Sequence, residues 1–134
     1  MIKTAGWLLV ALGAAHTIGA LTIDHAARYA GTWFSGGLWR EAQDGFLPMS
    51  QAGSAFWFSL ESFGPPMIVI GLIVLWLDRR GITPPPFIAW ILGISTALDA
   101  VILFPTPWAL GLIAQILLLI AARRAARTPR PSAT

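Results

Sequence analysis

Glu61 is the residue with the strongest chemical meaning, because it stands inside the apolar run Ala52 to Leu77. A carboxylate in hydrocarbon loses its hydration, so an acid there is protonated, paired or facing water, and function is the default reading. A protonated carboxyl can deliver its proton to an alkene or to an epoxide oxygen. Asp99 is a second such acid, set closer to the end of its own apolar run, where local hydration is the plain alternative. Were it near Glu61, it would take or stabilise the compensating charge, and the pair would share a proton. His16 is the third candidate for proton transfer, against a structural role as a donor to a carbonyl between close-packed helices. Gln115 reads first as an interhelical amide bridge and second as a contact for a bound molecule.

Helical spacing sets aromatic and polar neighbours beside these groups. On the second run Gln51, Ser54, Trp57, Phe58, Glu61 and Pro65 fall along one stripe. Ser95, Thr96 and Asp99 share a face of the third run, and Trp108, Gly111 and Gln115 share a face of the fourth. Trp57, Phe58 and Trp108 are therefore expected to line a lipophilic site, with Ser95, Thr96 and Gln115 as its polar contacts. Aromatic faces of this kind stabilise a developing cation and keep water from it. His16, Asp24, His25, Glu61 and Asp99 include metal-ligand types, but their spacing is not that of a metal site, so no metal is assigned. The chain has no cysteine, which excludes disulfides, thiolate catalysis and cysteine-ligated metal centres. No redox cofactor is required by the chemistry described.

The elements that must position these residues are membrane spans. Of 134 residues 56% are hydrophobic and only 11% charged, too few polar groups to cover a soluble globule of this size. The apolar residues fall in blocks close to the roughly 20 residues a spanning helix needs. Spans are expected over about Gly6–Ile23, Ala52–Leu77, Phe87–Phe104 and Trp108–Ala122, which makes an all-α, four-helix membrane bundle in one domain, 1–122. The first block could also read as a signal peptide cut near Ala26-Ala27, though His16 in its apolar region argues against this. Gly6, Gly13 and Ala20 recur every seventh residue of that block and suit close helix packing. Pro65-Pro66 should kink the second span around Glu61 and Ser62. Ile82-Thr83-Pro84-Pro85-Pro86 and Pro105-Thr106-Pro107 should be turns, and residues 123–134 a basic, disordered tail.

Orientation follows from the basic residues. Lys3, Arg79, Arg80, Arg123, Arg124, Arg127 and Arg130 lie on one side, against Arg28 and Arg40 on the other. The positive side faces the cytoplasm, so both termini are expected inside. The long connection from Asp24 to Gln51 is then outside, and its Tyr29, Trp33, Phe34, Trp39 and Phe46 with Ser35-Gly36-Gly37 suggest either a lid or an aromatic anchor at the headgroups. Glu61, Asp99, His16 and Gln115 all fall within about two and a half turns of the outer helix ends. The formal net charge of +3 does not indicate nucleic acid, since the bases sit at helix ends and do not interleave with aromatics.

Gly6-Trp7-Leu8-Leu9 leading to Ala15-His16-Thr17, Phe56-Trp57-Phe58, Trp90-Ile91-Leu92-Gly93, and Pro105-Thr106-Pro107-Trp108 with Ala121-Ala122-Arg123-Arg124 together resemble a family of small bacterial four-helix membrane proteins of uncharacterised function. The resemblance covers most of the chain with motifs of low specificity. It implies a multi-pass protein of the bacterial cytoplasmic membrane and brings no activity. More remotely, acids among aromatics in a short bundle are similar to the sites of emopamil-binding-type sterol isomerases and integral membrane terpene cyclases, a likeness of site alone. The expected function is an intramembrane enzyme using Glu61, Asp99 and His16 for acid–base isomerisation, cyclisation or epoxide opening of a terpenoid- or polyketide-like molecule. Its partners would be the bilayer and that lipophile. The alternatives are a proton-coupled exporter working as a homodimer, although its key acid would sit in the second span and not the first, or a non-catalytic accessory protein.

Overall fold

The computed structural model describes residues 1–45, 47–102 and 107–127, and among these the chain is helical with no strand. The elements are α1 (Ile2–Thr22), a 3-10 turn (Ala26–Tyr29), α2 (Ala30–Phe34), α3 (Gly37–Asp44), α4 (Gln51–Ser59), α5 (Gly64–Arg79), α6 (Pro86–Ile102) and α7 (Trp108–Arg127). Three segments are long and apolar enough to cross a membrane: Ile2–Thr22, Gln51–Arg79 and Trp108–Arg127. The expected third span is a shorter apolar helix, 17 residues as described. The turn expected at Pro105-Thr106-Pro107 lies mostly outside the described residues. The chain divides into two compact units, 1–12 with 68–134, and 13–67, whose limits fall within α1 and α5.

In the first unit α6 packs along α7. The crossing is close because a Cβ on Gly111 would stand 2.8 Å from Thr96 Cγ2, and one on Gly93 would stand 3.5 Å from Gln115 Cβ. α1 and α5 meet at another pair of glycines, where a Cβ on Gly71 would lie 2.8 Å from the Gly6 carbonyl and 2.9 Å from Val10 N. Small residues let helix backbones approach when apolar side chains gain nothing by leaving lipid. α5 ends where Gly81 takes φ 68°. Gly81 N donates to Asp78 O and Ile82 N to Leu77 O, both at 3.0 Å, the bond pair of a Schellman cap. Arg80 lies 4.5 Å over the Trp76 ring. The proline run that follows is not helical until Pro86, which opens α6 where a missing N–H costs nothing. At the other end α7 continues through Arg127, so Arg123, Arg124 and Arg127 lie on a helix where a disordered tail was expected. Alanines and arginines are good helix formers, and basic side chains suit a helix C-terminus.

In the second unit the connection expected as one long loop is built of the 3-10 turn, α2 and α3. His25 turns the chain out of α1 with φ 56°. Polar contacts then fasten the short helices to the start of α4: Trp33 Nε1 donates to Ala52 O at 2.9 Å, and Tyr29 OH to Gln51 Oε1 at 2.9 Å. The Trp33 ring also meets Phe56 edge-on at 5.7 Å. Ser50 caps α4, its hydroxyl accepting from Gly53 N at 3.0 Å.

Candidate functional site

The apolar segment Gln51–Arg79 is interrupted between Ser59 and Gly64, and Glu61 stands in the interruption. The cause differs from the kink expected at the prolines. Pro65 and Pro66 occupy the first turn of α5, where no helical partner waits for their missing N–H groups. The helix therefore breaks ahead of them. Phe56 O accepts from both Leu60 N (3.0 Å) and Glu61 N (3.1 Å), the second a π-type bond that widens the end of α4. Two serines satisfy the backbone across the gap. Ser59, fully buried, donates to Ala55 O at 2.5 Å. Ser62 donates to Ser59 O at 2.8 Å and accepts from Gly64 N at 3.3 Å. Phe63 O then receives Met67 N at 3.0 Å and α5 begins.

Because α4 stops at Ser59, the helical stripe expected from Gln51 to Pro65 does not run through Glu61. Glu61 is exposed on the chain's surface, and so are Phe58 (72%) and Trp57 (44%). The interruption rests on α1 instead. The His16 ring lies 4.1 Å from that of Phe63, tilted by 35°. A Cβ on Gly64 would run into Thr17 Oγ1 and stand 2.9 Å from Gly13 O. Beside this contact His16 Nε2 and Thr17 Oγ1 are buried and bonded to no described residue. A buried polar atom in that state costs about 1–3 kcal/mol, so it marks a place where a bound group would be welcomed.

The remaining candidates belong to the other unit. Thr96 and Gln115 are each 2% exposed on α6 and α7, Asp99 and Trp108 are half-buried, and Ser95 is exposed. Ser95 and Thr96 both spend their hydroxyls on Leu92 O, at 3.1 and 2.6 Å. The expectation that Gln115 bridges helices is corrected, since neither its Oε1 nor its Nε2 bonds to a described residue. Its Cβ and Cγ pack at Gly93 of α6.

The sequence model of DUF6463, a family of unknown function, matches residues 1–126. The chain belongs to that family. No curated protein matches the chain, and no solved structure does. DUF6463 supplies membership and no activity, so chemistry has to be argued from the side chains. Among the described residues no group of three or more His, Cys, Asp or Glu could hold a metal. In this member of DUF6463 sequence reasoning overlooked Ser59, Ser62, Thr17 and Phe63. Ser62 was signalled by its place two residues before Gly64-Pro65-Pro66, a start-of-helix pattern inside an apolar run.

Proposed function

We propose that the protein is an intramembrane enzyme that performs acid–base chemistry on a lipophilic small molecule, by isomerisation, cyclisation or epoxide opening. The observation that carries this is the serine-stitched interruption that holds Glu61 within a membrane-length apolar segment. Irregular backbone at membrane depth is tolerated only against protein or a water-lined cavity, and an acid at such a place is functional by default. Glu61 would protonate the alkene or epoxide oxygen. Phe58 and Trp57 would face the cation that forms, and His16 Nε2 would accept the proton released in an isomerisation and pass it to the Glu61 carboxylate, restoring both groups. The step as proposed uses residues of the unit 13–67. The reading places the chain in a bacterial cytoplasmic membrane with four crossings and cytoplasmic termini, as the basic residues favour.

Dicyclohexylcarbodiimide, which enters lipid and adds to protonated carboxyls, tests the acid. Glu61 should form the N-acylurea, and a water-soluble carbodiimide should leave it unmodified. In the same membranes, turnover of terpenoid alkenes and epoxides should fall by about two to four orders of magnitude in Glu61→Gln. Near-normal turnover in that variant would sink the proposal.

A second reading is a proton-coupled exporter. It is favoured by the interrupted helix itself, since discontinuous spans build the binding sites of many transporters. Proton release from detergent-solubilised protein on adding a lipophilic cation, abolished in Glu61→Gln, would select it over the enzyme.

A further inference from the structure

A pocket of about 280 Å³ opens between α3, residues Gly45 and Pro48 to Ser50, and the first half of α4, all within the unit 13–67. Its volume is near the lower end for small-molecule sites, enough for a headgroup and a short apolar substituent. The wall is of two kinds. Glu41 and Asp44 are three residues apart on α3, the spacing that puts two side chains on one face. Leu38, Met49 and Trp57 supply the apolar part. Among the described residues the lining contains no Lys, Arg or His.

Glu41 is held in place. Its Oε2 accepts from Ser50 Oγ at 2.7 Å, and the same hydroxyl accepts from Gly53 N, so the carboxylate is tied to the cap of α4. Gly53 keeps the floor low, because its Cβ position is 3.5 Å from Glu41 Oε2 and 3.8 Å from Leu38 Cδ2. Two carboxylates without a base, facing an indole and a thioether, form a site for positive charge carried on an apolar body. A bare divalent cation would prefer six or more oxygen ligands, and this pocket offers two carboxylates beside apolar walls. We infer that the pocket binds an organic ammonium compound, with the nitrogen between Glu41 and Asp44 and the substituent on Trp57 and Met49. The pocket shares Trp57 with the reaction proposed at Glu61, but its carboxylates, Glu41 and Asp44, take no part in that reaction.

The test uses the full chain in a nonionic detergent and isothermal titration with benzyltrimethylammonium, since seven tryptophans make fluorescence ambiguous. The expected result is saturable binding that weakens with salt and is absent for neopentylbenzene, the uncharged isostere. Glu41→Gln/Asp44→Asn should weaken binding about tenfold or more, and Trp57→Leu about threefold or more. Asp24→Asn, outside the lining, should bind as the parent does. Asp44→Asn alone keeps the falsification open if the double variant fails to fold, because Ser50 is tied to Glu41 and not to Asp44. Equal affinity for the cation and its neutral isostere would overturn the inference. So would unchanged affinity in a folded Asp44→Asn variant, or stoichiometric calcium binding that displaces the ammonium probe.

Discussion

At the scale of single residues, glycines and one glutamine show how differently apolar surroundings treat small and polar groups. Gly64 sits against backbone, with Gly13 O 2.9 Å from where its Cβ would be, while Gly19 has nothing within 4 Å of that position. Gly64→Ala should therefore cost about 1–3 kcal/mol through forced movement of α1, and Gly19→Ala should be neutral or raise stability by about 0.5–1 kcal/mol. Thermal melting of helicity in one detergent compares them. Equal midpoints would show that the Gly64 contact is not close in the folded protein. Gln115 gives the opposite expectation to a polar bridge. Its amide is buried without a described partner, so Gln115→Met keeps volume while removing a desolvated group. The melting point should be unchanged or higher. A fall of several degrees would restore the amide as an interhelical bond.

At the scale of elements, the interruption between α4 and α5 is a structure with its own hydrogen-bond accounting. Ser62 serves two backbone groups, accepting from Gly64 N and donating to Ser59 O. Ser62→Ala leaves both to find other partners where water is scarce, at a cost of about 1–3 kcal/mol. Ser62→Thr retains the hydroxyl and should recover most of that loss. Melting points of the three forms, alongside labelling of Glu61 by dicyclohexylcarbodiimide, would show whether the break and the acid's accessibility change together. Stability equal to the parent in Ser62→Ala would mean that the hydroxyl is replaceable by its surroundings. The prolines that suggested a kink instead begin α5, because ring closure is harmless only in a helix's first turn.

At the scale of the whole molecule, orientation is the property most open to measurement. The chain has no native cysteine, so a single introduced thiol reports one side without background. Gly36 and Gly81 have φ of 76° and 68°, a region that a side chain enters under strain, which makes their exposed neighbours better sites. Ser35→Cys should react with an impermeant maleimide from outside intact cells, and Ile82→Cys only after the membrane is opened. The reverse pattern would overturn the orientation drawn from the basic residues.

The sequence by itself determined that the chain is helical and apolar, with an acid inside its second apolar run. Those properties follow from composition and run length, which need no knowledge of neighbours. The proline-rich turn after the second run was legible for the same reason, since it depends on a few adjacent residues, although Pro86, placed in that turn, instead opens α6. Tertiary structure decided the rest. Beside Glu61, Phe63 packs on His16 and Gly64 sits against α1, contacts between residues far apart in the chain. The segment between α1 and α4 reads as a loop from its glycines and polar residues, yet it folds as short helices because Trp33, Tyr29 and Glu41 find partners at Ala52, Gln51 and Ser50. Those partners lie nine to 22 residues away. Periodicity reports which face of a helix is apolar, and it carries no information about which distant backbone group will meet a given side chain.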